Sequence, residues 1–65
     1  MKKTAVVKTL TLAIEREYYK QAQGKTINIM KINSLFTYCA ERIAAGETTE
    51  EAVRMGIEQF CEPAQ

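Results

Sequence analysis

Apolar residues recur along this chain with the 3.6-residue period of an α-helix, in three successive segments. Gly24, Gly46 and Pro63 separate or close the segments, and glycine and proline are the residues that most often end a helix. Each segment carries an apolar stripe that needs a covering partner. The pattern predicts an all-α domain of three helices. Their expected bounds are near residues 4–23, 28–45 and 48–61.

The first segment has apolar residues on two opposite sides of its helical wheel. The broader side is expected to face the core, and its members are Val6, Val7, Leu10, Ala13, Ile14, Tyr18 and Ala22. On the opposite side, Ala5, Leu12 and Tyr19 recur every seven residues. A helix that is apolar on two sides must bury both, and two short helices of the same chain can cover only one. We therefore expect Ala5, Leu12 and Tyr19 to form the seam of a homodimer.

The third segment has a clear helix start. Thr48 and Glu51 have the spacing of a capping box, in which each side chain binds a backbone amide of the other residue. Glu50 and Arg54 are spaced for an ion pair along the helix. Gly56 falls on the apolar side, where glycine costs about 1 kcal/mol relative to alanine, so we expect another helix to cross closely there. The apolar side consists of Ala52, Val53, Ile57, Phe60 and Cys61. The second and third segments are expected to form a helical hairpin.

The middle segment allows two interpretations at its start. A single helical arc from Ile29 onward favours a helix that is capped by Asn28. The arc consists of Ile29, Ile32, Leu35, Phe36, Cys39, Ala40 and Ile43. Alternatively, residues 25–31 form a short strand with Ile27 and Ile29 facing inward, and the helix begins at Asn33 or Ser34. The sequence leaves both interpretations open.

The spacing of residues in the last segment suggests a second fold. The relevant positions are Gly46, Thr48, Glu51, Ala52, Val53, Arg54, Gly56 and Ile57. With a strand placed before two helices, residues 25–61 resemble the ribbon-helix-helix family of DNA-binding repressors, here with an additional N-terminal helix. The resemblance implies a dimer whose paired strands enter the major groove. It also implies base contacts from Thr26, Asn28 and Met30, and a phosphate held by the backbone amides of Thr48 and Thr49.

The length of the chain and the distribution of its charges also favour a dimer. The 65 residues form a single domain, and a chain this short buries only roughly 60% of the surface that its unfolded form exposes. Small domains are commonly stabilised further by disulfides, a metal or a partner chain. Residues 1–25 carry six Lys or Arg and two Glu, a net charge of +4, whereas residues 26–65 carry three Lys or Arg and six Glu, a net charge of −3. Such a basic front fits phosphate, an anionic membrane or the acidic part of a second copy.

The residue inventory argues against catalysis and against cofactors. The chain has no histidine and only two cysteines, so structural zinc with four Cys or His ligands is excluded. On a hairpin of the second and third helices, Cys39 and Cys61 fall about 10 Å apart along the axis, beyond the reach of a disulfide. No glycine-rich phosphate loop is present. We expect no enzyme activity, no catalytic residues and no bound cofactor or metal.

The location and function follow as expectations from these patterns. Lys8 interrupts the apolar run after Met1, and charged residues end it, which is not typical of a secretory signal. No stretch has the length and apolarity of a membrane span, so we expect a cytoplasmic protein that does not use a membrane. The leading hypothesis is a non-enzymatic interaction or regulatory protein that works as a helical homodimer. A ribbon-helix-helix regulator that binds nucleic acid is the alternative.

Overall fold

A computed structural model of the chain describes the backbone of residues 2–64 and the side chains of residues 10–64. That part of the chain forms three helices, a single 3₁₀ turn and two short strands. In chain order they are α1 (Lys2–Gln21), β1 (Lys25–Ile27), the 3₁₀ turn (Ile29–Lys31), α2 (Ile32–Ala44), α3 (Thr49–Phe60) and β2 (Cys61–Pro63). The predicted three-helix domain and its C-terminal hairpin are confirmed. The small sheet is an addition that the all-α prediction did not include.

The core lies where the three helices meet. Its buried side chains are Ile14, Leu35, Cys39, Ala52, Val53 and Ile57, and all of them belong to the predicted apolar stripes. Leu10, Tyr18 and Ala22 of the first segment pack against this core, as the sequence predicts. Val6 and Val7 were assigned to the same stripe, but their side chains lie outside the described residues.

The α2–α3 hairpin is defined by capping at both sides of its turn. Gly46 has φ of +108°, a conformation that favours glycine. The amide of Gly46 donates to the carbonyl of Ile43, and that of Glu47 donates to the carbonyl of Arg42, a pair of bonds that closes the end of α2. At the start of α3 the Thr48 hydroxyl accepts from the amide of Glu51 at 3.2 Å. Both ends of the turn therefore have partners for backbone groups that a helix end leaves unpaired.

The acidic residues of α3 pair differently from the prediction. The carboxylate of Glu51 binds the guanidinium of Arg54 at 3.1 Å, and Glu58 binds the same guanidinium at 2.8 Å. Glu51 is therefore engaged by Arg54, whereas the predicted partner of Arg54 was Glu50. Arg54 sits one turn from each of these carboxylates, and the two together satisfy more of its donors than Glu50 alone would.

Gly56 is the point of closest approach between α2 and α3, as its place on the apolar side predicts. It is buried, and a Cβ atom added there would come within 2.5 Å of Leu35 Cδ1 and 3.1 Å of Cys39 Sγ. The absence of a side chain at this position allows α3 to lie directly on α2. The same contact holds Leu35 and Cys39 almost free of solvent.

The two strands join the middle of the chain to its end. β1 and β2 pair antiparallel, with Thr26 opposite Glu62 and Ile27 opposite Cys61. The sheet anchors the segment after α1 beside the end of α3. The strand favoured by the alternative interpretation is thus present, but only over Lys25–Ile27, and its hydrogen-bonded neighbour is a strand of the same chain.

The start of the middle helix differs from the prediction of a helix from residue 28. Residues 29–31 form a 3₁₀ turn, and α2 begins at Ile32. A 3₁₀ turn advances about 120° per residue rather than 100°, so a residue in it leaves the helical arc of the residues that follow. Ile29, which the arc assigned to the buried side, is accordingly 79% exposed.

Candidate interaction surface

Four large apolar side chains are exposed to solvent in the described part of the chain. Their exposed fractions are 54% for Leu12, 69% for Tyr19, 79% for Ile29 and 84% for Met30. Single exposed apolar residues are ordinary, whereas several on one face often mark an interaction site. The four residues fall into two groups, the outer stripe (Leu12 and Tyr19) and the apolar tip (Ile29 and Met30).

The outer stripe lies on the side of α1 that faces away from the core. Leu12 and Tyr19 are seven residues apart and therefore share one side of the helix, whereas Ile14 on the opposite side is 2% exposed. Ala5, the third residue of the predicted seam, has a side chain outside the described residues. The structure thus leaves two predicted seam residues accessible, and their role in a dimer stays a prediction.

The apolar tip is held outward by its own turn. The Asn28 side chain accepts a hydrogen bond from the amide of Met30 at 2.9 Å, and the Asn28 carbonyl accepts from the amide of Lys31 at 2.8 Å. Asn28 therefore caps the segment as the helical interpretation predicts, although it caps a 3₁₀ turn. Sequence reasoning missed the tip, because the 3.6-residue period placed Ile29 in the core. The signal that could have identified it is the polar Asn28 and Lys31 that bracket an apolar pair.

An apolar cleft lies between α1, β1 and the start of α2. It has a volume of about 170 Å³, and its apolar lining consists of Tyr18, Tyr19, Ile27, Ile32, Leu35 and Phe36. Tyr19 belongs to both the cleft and the outer stripe, so the two features are continuous. The cleft also connects to the tip, because Ile27 and Ile32 flank the tip in the chain. The outer stripe, the cleft and the tip are together called the apolar face below.

Charged residues surround the apolar face. Glu15 is exposed at the rim of the cleft, one turn from Leu12. Among residues 10–64, Glu15 has no cation within 4 Å, and Arg16, Lys25 and Lys31 likewise have no carboxylate at that distance. In contrast, Arg54 is held between two carboxylates of α3, and hydrogen bonding to Arg54 lowers the pKa of Glu51. Charges near the apolar face are thus available to a partner, whereas the cation of α3 is already neutralised.

The residues proposed for nucleic-acid contact occupy two separate places. Thr26 is exposed on β1, opposite Glu62, and Met30 is exposed on the tip. Thr48 and Thr49 lie at the start of α3, where the Thr48 hydroxyl serves as a cap. The 13 residues of α2 separate the two places by about 20 Å. Within one chain, the structure does not bring all the proposed contacts together.

The two cysteines are free thiols in different surroundings. Cys39 is fully buried and donates to the carbonyl of Ala52 at 3.5 Å, and burial raises its pKa to about 11. Cys61 is half-buried beside Tyr18, whose own pKa is raised by burial and then by the nearby Cys61. A thiol that stays protonated is a poor nucleophile. Cys39 therefore acts as a small core residue, as the sequence predicts.

A second depression lies on the other side of α2. Its volume is about 390 Å³, and it is lined by Asn33, Ser34, Thr37, Tyr38, Glu41 and Phe60. The Tyr38 hydroxyl accepts a hydrogen bond from the Gln59 side chain at 3.0 Å. The polar groups that line this depression are therefore partly paired within the chain. This side of α2 is more polar than the apolar face and provides matched control positions.

Comparisons with known proteins add no relative. No protein-family model, no curated protein and no solved structure matches the chain. Within the described residues, no helix is long and apolar enough to cross a membrane. The same residues contain no group of three or more His, Cys, Asp or Glu side chains placed to hold a metal ion.

Proposed function

We propose that this protein is a non-enzymatic interaction module that works as a homodimer and associates through the apolar face. The observation that carries the proposal is the exposure of Leu12 and Tyr19 on the side of α1 opposite the core. Both are large apolar residues on one continuous stripe, and Tyr19 extends the stripe into an apolar cleft. A second chain that covers this stripe would remove apolar surface from water, which stabilises association in proportion to the area covered.

The chemistry of the remaining surface supports an interaction role. Tyrosine is enriched at interfaces because its ring is apolar and its hydroxyl can remain wet. Tyr19 has this arrangement, and its ring meets that of Tyr18 edge to face, with centroids 5.6 Å apart. Glu15 and Arg16 lie at the edge of the outer stripe, and both are exposed. An apolar centre with a charged rim is the usual anatomy of a protein interface.

Sedimentation analysis of two variants tests the proposal. Leu12→Asp places a charge in the outer stripe, and we expect it to raise the dissociation constant of the dimer at least tenfold, since a buried unpaired charge is strongly unfavourable. The matched control is Thr37→Asp, which adds the same charge at an exposed position on the other side of α2. Circular dichroism establishes that both variants keep their helices. Unchanged association of Leu12→Asp would refute the outer stripe as the seam.

The ribbon-helix-helix resemblance remains a separate prediction. It expects binding to duplex DNA that weakens steeply with salt, because phosphate contacts release counterions. Fluorescence anisotropy with a labelled duplex at low and high salt tests it. Duplex binding that is lost in Asn28→Ala and retained in Leu12→Asp would favour the DNA-binding function over the interaction module.

A further inference from the structure

The apolar face carries both a projection and a cavity. The apolar tip projects Met30, which is 84% exposed, and the cleft next to it is open and lined almost entirely by apolar side chains. The two features are adjacent, because cleft residues Ile27 and Ile32 flank the tip. A surface with a projection next to a matching cavity is self-complementary when a two-fold axis relates two copies.

We propose that a second copy of this chain inserts Met30 into the cleft, and that the first copy inserts its own Met30 reciprocally. This inference rests on the proposed homodimer and names the residues that join its two halves. It adds the cleft and the tip to the outer stripe. Tyr19, which belongs to the stripe and to the cleft, would lie near the centre of the interface.

The sizes of the projection and the cavity agree. The cleft has a volume of about 170 Å³, and an apolar cavity of about 150 Å³ can admit a ligand as large as benzene. A methionine side chain is unbranched, flexible and polarisable, so it fits irregular cavities, and its sulfur makes favourable contacts with aromatic rings. The cleft offers the rings of Tyr18, Tyr19 and Phe36. A methionine is therefore well suited to this cavity.

The charges beside the two features are opposite in sign. Glu15 lines the cleft, whereas Lys31 directly follows Met30. Among residues 10–64, neither has an oppositely charged partner within 4 Å. Insertion of Met30 would bring Lys31 of one copy toward Glu15 of the other, twice per dimer. The two ion pairs favour a second copy of this chain over a partner that lacks the same pattern.

The first test replaces the projecting side chain. We expect Met30→Asp to raise the dissociation constant of the dimer at least tenfold, because a carboxylate would enter the apolar cleft, whereas Met30→Leu should keep it within a few-fold. Thr37→Asp serves again as the control for charge and fold. Met30 is almost fully exposed in one chain, so the variants should remain folded, which circular dichroism verifies.

The outcomes of this test separate the inference from the proposed function. If the unaltered chain is monomeric at millimolar concentration, the homodimer itself is refuted. If the unaltered chain dimerises, Leu12→Asp is monomeric and Met30→Asp dimerises normally, then the reciprocal insertion is overturned and the outer stripe alone holds the dimer. Loss of the dimer in Met30→Asp and its retention in Met30→Leu support the insertion.

A charge exchange tests the reciprocal geometry more sharply. Glu15→Lys alone would place two cations together at both ends of the interface, and Lys31→Glu alone would place two carboxylates together. An equimolar mixture of the two variants restores opposite charges at both ends of a mixed dimer. Since an exposed ion pair contributes little, we expect each single variant to dimerise roughly threefold to tenfold more weakly and the mixture to recover. If the mixture dimerises no more tightly than either variant alone, the reciprocal insertion is contradicted.

Discussion

The α2–α3 hairpin and the apolar face contain similar residue types and bury them to very different extents. Leu35 in the hairpin is 1% exposed, whereas Leu12 on α1 is 54% exposed. The hairpin is closed because Gly56 lets α3 lie directly on α2. The apolar face has no element of the described chain across it. The contrast shows that the hairpin is closed within the folded chain, and it is the basis of the proposal that a second copy covers the apolar face.

The same substitution in both regions should give the largest difference. We expect Leu35→Ala to lower the free energy of unfolding by about 2–5 kcal/mol, because it leaves a cavity in the core. Leu12→Ala should lower it by about 0.5 kcal/mol or less in dilute solution, where the chain is monomeric. Urea unfolding followed by circular dichroism measures both values. Equal losses would mean that Leu12 is already buried by the folded monomer and would remove the contrast.

A smaller effect is expected at the close crossing of α2 and α3. Gly56→Ala improves helix propensity by about 1 kcal/mol, but its Cβ would come within 2.5 Å of Leu35 Cδ1. Leu35 is 1% exposed and its Cδ1 would have to be displaced, so we expect a net loss of about 1 kcal/mol or more, as for other overpacked cores. Urea unfolding again provides the measurement.

The partner residue provides the control for Gly56→Ala. In a Leu35→Val background the Cδ1 atom is absent, so the added Cβ should be tolerated and the loss should shrink or change sign. A loss of the same size in both backgrounds would show that the contact with Leu35 does not determine the close crossing.

The smallest effect concerns the buried thiol of the hairpin. Burial raises the pKa of Cys39 from 9.0 to about 11. Because the folded pKa lies above the unfolded one, the contribution of the protonated thiol to stability is complete below about pH 9 and is lost as the pH rises toward 11. Urea unfolding at a series of pH values measures this loss. The free energy of unfolding should fall more steeply between about pH 9 and 11 in the unaltered chain than in Cys39→Ala.

The comparison with Cys39→Ala cancels the contribution that other groups titrating at high pH make to the pH dependence of stability. The pKa of Tyr18 is also raised, and this tyrosine is present in both proteins. Identical pH slopes in the two proteins would show that Cys39 does not couple its proton to folding.

The core and the α2–α3 hairpin were predicted well from the sequence. Helical period alone identified the six buried side chains of the described core, and a glycine on the apolar side of α3 correctly indicated the close crossing. These features depend on residues within one helix or on the packing of neighbouring helices, which the period of 3.6 encodes directly. The cap at Thr48 was also local and was predicted, although Glu51 pairs with Arg54.

The apolar face was harder to predict, for physical reasons. The β1–β2 pairing joins Lys25–Ile27 to Cys61–Pro63 across most of the chain, and no local pattern encodes such a contact. The 3₁₀ turn changed the angular step between residues, so Ile29 moved from the expected core to the surface. The outer stripe was predicted from its seven-residue spacing. The tip and the cleft appeared only when the strand and the turn had been placed.

The most direct test of the proposed homodimer is the mass of the unaltered chain in solution as a function of concentration. Sedimentation equilibrium from micromolar to millimolar concentration should show a reversible rise from 7.4 kDa toward twice that mass, and Leu12→Asp should remain near the lower value. A chain that stays at 7.4 kDa across the whole range would contradict the claim that the apolar face is covered by a second copy.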